Sequence, residues 1–111
     1  MRFLCLAYGA EADWNALSEE RRHELLAGDE VLRRRGATIA VLGEPTVVRA
    51  WDGTPHTAPE PFATGPAPLV GFSIIEADDV QEAVRLVSAT PCAGARGAVE
   101  VRPMHDPASE R

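Results

Sequence analysis

Two hydrophobic periods alternate along this chain, one of about two residues and one of about 3.6. Residues 2–8, RFLCLAY, are apolar on both faces and too short for a helix, which predicts a central strand. The stretch GAEADWNAL breaks the pattern. Ser18 then stands where a helix N-cap belongs, with Glu19 and Glu20 in the favoured first turn, and Gly36 stands where a left-handed C-cap belongs. Between them Leu25, Gly28 and Leu32 share one helical stripe, with Asp29 at its edge and His23 on roughly the opposite side.

Residues 37–43 (ATIAVLG) and 46–51 (TVVRAW) are rich in β-branched side chains and predict two strands. Asp52 and Gly53 form the strongest short-range hairpin signal, a two-residue type I′ turn. The returning arm, TPHTA, is restricted to an edge by Pro55 and Pro59. Pro59, Pro61, Pro66 and Pro68 forbid regular pairing in the loop that follows. Residues 69–77 (LVGFSIIEA) predict a buried strand, and DDVQEAVRLVSATP a helix. Asp78 is its expected N-cap with Gln81 at capping-box spacing, Val80, Ala83, Val84 and Val87 form its apolar face, and Pro91 follows it. Residues 98–104 (AVEVRPM) alternate as a one-sided strand, so a single domain spans 1–104 and 105–111 form a flexible tail.

The order β-α-β-β(-β)-β-α-β implies a ferredoxin-like α+β arrangement: an antiparallel sheet, two helices on one face, and an inserted β-hairpin. The other face is left uncovered. With strands this apolar, a face-to-face homodimer, a dimeric α+β barrel, is the economical way to cover it.

Composition narrows the function. The net charge is −6 and no basic cluster is interleaved with aromatics, which argues against a nucleic-acid surface. No apolar run reaches transmembrane length, and the amino-terminal stretch lacks a cleavage pattern, so no membrane contact and a cytoplasmic location are expected. The chain has no lysine, which removes Schiff-base and lysine-nucleophile chemistry. Cys5 and Cys92 lie far apart without metal-ligand spacing, and the three histidines have no short spacing either, so neither a disulfide nor a metal site is expected. Nucleotide-binding and catalytic-serine motifs are absent, and no cofactor is implied.

Several stretches together resemble the YCII-related proteins, and within them the branch named for an Asp-Gly-Pro-Phe motif. They are FLCLAYG, LSEE leading into the first helix, RRRGATI, TVVRAWDG, LVGFSIIEADDVQEAVRLV and GAVEVRPM. At the motif itself Pro61 and Phe62 match, while Pro59 and Glu60 replace the Asp and Gly, and the charged run after it is missing. Glu60 is the only carboxylate there, one position displaced. The resemblance implies a small enzyme in some members, with a first-helix histidine paired to an Asp, and lyase chemistry in a few. For this branch it also implies a link to extracytoplasmic-function sigma factors. His23 is the first-helix histidine available; counted back from Gly36 it stands about two residues from the family position, a rotation of about 200°.

These residues give two function classes. One is a cofactor-free lyase, isomerase or cyclase that binds a small organic molecule. His23 or His56 would be its base, Asp29 or Glu60 would orient the base, and Trp51, Phe62, Arg49 and Phe72 would line the pocket. The other is a non-catalytic interaction or regulatory accessory module linked to a sigma-factor system. Against the first, each candidate also has an ordinary structural role: a surface histidine, an ion pair for Asp29, core or dimer packing for the aromatics.

Overall fold

The computed structural model describes residues 1–110; Arg111, the end of the expected tail, lies outside the described residues. The elements are β1 (Arg2–Tyr8), α1 (Glu11–Asn15), α2 (Glu19–Arg34), β2 (Thr38–Val41), β3 (Val47–Arg49), β4 (His56–Ala58), β5 (Leu69–Glu76), α3 (Val80–Val87), α4 (Pro91–Gly94) and β6 (Ala98–Pro103), then a 3₁₀ turn at Pro107–Glu110. Four strands form one antiparallel sheet in the order β2-β5-β1-β6. β3 and β4 pair only with each other and make a separate ribbon. The molecule is therefore α+β, and no helix among the described residues is long and apolar enough to cross a membrane.

Strand alternation sorts the central strands into two faces. On β1, Phe3 and Cys5 are buried while Leu4 and Leu6 remain half-exposed; on β5, Ser73 and Ile75 are buried while Phe72 and Ile74 remain half-exposed. The buried set packs with Leu32 of α2 and with Ala83 and Val87 of α3 to form the core. Cys5 lies opposite Ser73, whose hydroxyl hydrogen-bonds the thiol, although burial outweighs that bond and pushes the thiol's pKa up. Both cysteines are free.

Close approach between layers requires glycine at two helix positions. A Cβ on Gly28 of α2 would stand 2.0 Å from the Ala89 carbonyl oxygen, and one on Gly94 of α4 would stand 2.4 Å from a Leu25 methyl. α2 thus beds directly against the turn between α3 and α4. Ser18 caps α2 as expected, accepting from the Arg21 backbone N–H at 3.1 Å, and Gly36 leaves the helix at φ +87°.

Two local expectations are corrected. The N-cap of α3 is Asp79, not Asp78: its carboxylate accepts from the Glu82 N–H at 2.8 Å, and Glu82 reaches back to the Asp78 N–H at 3.1 Å. The reciprocal pair is therefore one residue later than expected, because glutamate at 82 ties down the turn that glutamine at 81 was expected to close. Residues 11–15, read as a break, form the short helix α1, with Glu11 and Asp13 in its first turn. Pro91 follows α3 as expected and also opens a further helical turn, since proline at N1 has no N–H that the helix needs.

The packing at Gly28 gives a test of sign. At a solvent-facing helix position Gly→Ala stabilises by about 1 kcal/mol. Here Gly28→Ala should lower stability by about 1–3 kcal/mol through overpacking against Ala89, read as a lower urea midpoint. An unchanged or higher midpoint would show that α2 is not held this tightly.

Candidate functional site

The β3–β4 ribbon carries the clearest chemical cluster. Its register sets Val47 opposite Ala58, Val48 opposite Thr57 and Arg49 opposite His56. The strands are joined by residues 50–55, a longer connection than the expected two-residue turn. Gly53 has φ +84° and donates its N–H to the Ala50 carbonyl at 3.0 Å, but Asp52 does not take the positive φ that a type I′ turn demands. Its side chain is committed elsewhere. Asp52 Oδ1 accepts from the Thr54 N–H at 3.0 Å, an Asx turn that shapes the loop.

The same carboxylate holds His56. Nε2 lies 3.0 Å from Oδ2 and 3.3 Å from Oδ1. An ionised carboxylate only accepts, so Nε2 carries the hydrogen, and in a neutral ring Nδ1 is left as the basic nitrogen. The His56 hydrogen bond, then that from Thr54, holds the Asp52 carboxyl below its ordinary pKa. Arg49, beside His56 across the ribbon, places its guanidinium carbon 5.3 Å from the Phe62 ring centroid, a cation–π contact. Arg49, Trp51, Asp52 and His56 line a recess of about 250 Å³.

The other candidates fall elsewhere. His23 is exposed on α2 and lines a shallow recess of about 630 Å³ with Trp14, Glu19, Glu20, Arg22 and Leu26. That recess shares no lining residue with the one on the ribbon. Asp29 is half-buried on α2; burial raises its carboxyl pKa, and Arg33 offsets part of the rise. Asp29 in turn adds to the burial that raises the Cys92 thiol. Glu60 is exposed, and the hydrogen-bond partner of His56 is Asp52, not Glu60. Phe72 lies in the sheet between Leu6 and Ala40 and does not line the ribbon recess. Among the described residues no three His, Cys, Asp or Glu side chains come together as metal ligands.

A family model, the YCII-related domain, matches residues 1–106. The chain belongs to the YCII-related family. No curated protein matches it. The YCII-related match spans the central sheet, all four helices and the ribbon.

Sequence reasoning missed Asp52 as the partner of His56. Its neighbour Gly53 made it a turn residue by type, and the signal for its second role was its position four residues before His56 across a short loop.

Two titrations follow. A depressed carboxylate pKa contributes stability above the ordinary value of 3.8, which is lost as pH falls through the folded value. His56→Ala should therefore move the Asp52 carboxyl-carbon titration up towards 3.8, read by NMR; an unmoved midpoint would mean that the pair does not form in solution. Asp29 has the opposite sign. Its raised pKa makes its ionised form a cost that grows as pH rises above 3.8. Asp29→Asn should leave the Tm at pH 7 equal or higher by a few degrees, with the gain shrinking towards pH 4. A clear loss of Tm at pH 7 would contradict this sign.

Proposed function

We propose that this YCII-related protein is a homodimer of the Asp-Gly-Pro-Phe branch that binds a small organic molecule and moves a proton on it without a cofactor. The strand order β2-β5-β1-β6 supports a ferredoxin-like unit, and its uncovered apolar face supports a dimeric α+β barrel. The observation that carries the chemical reading is the His56–Asp52 hydrogen bond of 3.0 Å, inside a recess that also holds Arg49 and Trp51.

In this reading His56 Nδ1 takes the proton, Asp52 fixes the tautomer and stabilises the imidazolium, and Arg49 holds an anionic group of the ligand beside it. Trp51 supplies an aromatic plane. Because both side chains of the pair are 63% exposed, the site gains a desolvated environment only when a ligand or a second protein surface covers it. That same exposure favours the second reading, a non-catalytic accessory module in which the ribbon serves as a contact and performs no chemistry.

Deuterium exchange separates the two. Enolisable aromatic and polyketide-like acids and ketones, incubated with the protein in D₂O, should lose α-proton NMR intensity faster than in buffer alone. His56→Ala should slow the catalysed rate by about 10²–10⁴-fold, and Asp52→Asn should slow it in the same direction. No catalysed exchange across the panel, or exchange indifferent to His56, would leave the accessory-module reading.

A further inference from the structure

Surface area exposes what the isolated chain lacks. A compact monomer of 11.9 kDa exposes about 6,000 Å². This chain exposes 7974 Å². Its Cα radius of gyration is 16.0 Å, against about 13 Å for a compact domain of this length. The excess has two visible sources, the open sheet face and the segment from Leu42 to Pro68 that carries the β3–β4 ribbon.

The open face is small for an interface on its own. Four strands about 4.8 Å apart and about six residues long on average make a projected footprint of about 400 Å², small beside the accessible surface of about 800 Å² that a standard interface takes from each partner. Something else must contribute the remainder, and the ribbon segment has the surface for it. Trp51 is 92% exposed, Phe62 78% and Val48 60%, and Val41 at its base is 89% exposed.

The segment does not fold back over that face. The shortest extent of the Cα positions is 20 Å, room for one sheet and one helix layer about 10 Å apart but not for a third layer. The ribbon therefore runs out from the end of the sheet, where the Leu42 N–H bonds the Val70 carbonyl at 2.9 Å and the Gly9 N–H bonds the Pro68 carbonyl at 3.0 Å. Its prolines restrict the backbone between Pro59 and Pro68, which lowers the entropy lost when a partner orders it.

We propose that the β3–β4 ribbon is the clasp of a two-fold dimer. It laps over a second copy of this chain, buries Trp51 there, and so completes the Arg49–Asp52–His56 recess with the partner's surface. The inference rests on the dimer proposed above and adds which segment closes it.

Two readouts on the full chain test it. The first is sedimentation velocity over a concentration series for the wild type, Trp51→Ser and Leu6→Arg. The second is the emission of Trp51 in a Trp14→Phe background. Trp51 is solvent-exposed in the single chain, so its replacement leaves the fold intact. The expected result is a wild-type dimer, at least tenfold weaker association in Trp51→Ser, and Trp51 emission that moves to shorter wavelength as the dimer forms. A dimer broken by Leu6→Arg but unaffected by Trp51→Ser, with Trp51 emission constant, overturns the clasp and leaves the sheet-face dimer standing. A wild type that is monomeric throughout overturns both.

Discussion

The central sheet has two apolar faces and one layer of helices, and most of the molecule follows from that mismatch. Phe3, Cys5 and Ile75 find cover under α2 and α3. Their neighbours Leu4, Leu6, Phe72 and Ile74, one residue away on the same strands, point the other way and stay half-exposed. At about 25 cal/mol per Å² of apolar surface, a face of this size represents a substantial driving force for association. The edge strand β6 frames the face with the Glu100–Arg102 ion pair, opposite Leu6 and Leu4 respectively, so the apolar stripe has a charged rim.

The ribbon answers a different constraint. It has almost no core, so its shape comes from local devices: three cross-strand pairs, the Asx turn at Asp52, the positive φ at Gly53, and a proline-laden return. The candidate site sits on the part of the fold with the least packing. Asp52 links the two roles, because one carboxylate both shapes the loop and orients His56. A substitution there would disturb conformation and acid–base behaviour together, which is why the His56 variant reports more cleanly on the pair.

Much of the main sheet and of α2 was legible in the chain because burial and periodicity agree there. Ser18 and Gly36 bracket α2 by cap chemistry that needs no tertiary information. The errors came where two neighbouring residues could do the same job: Asp78 or Asp79 as cap, Asp52 as turn residue or as partner of His56. Single-residue choices of this kind depend on which backbone N–H a short side chain reaches, and spacing alone does not decide that. Glu60 was one candidate to orient His56 beside the reading of His56 as a surface edge residue, and the six-residue connection turns His56 towards the loop's own Asp52. Asp29 was read as a member of an ion pair, and Arg33 does act on its charge; its electrostatic influence on the Cys92 thiol, more than sixty residues away along the chain, is one that no local pattern announces.

The most direct test of the central claim is an NMR experiment on a mixed sample, half of the chains isotope-labelled and half unlabelled, filtered for contacts between chains. Cross-chain NOEs among Leu4, Leu6, Phe72 and Ile74 are the expected result, since these side chains lie on the sheet face opposite the helices. Absence of such NOEs at millimolar concentration, with those methyls resonating as in a monomer, would contradict the account.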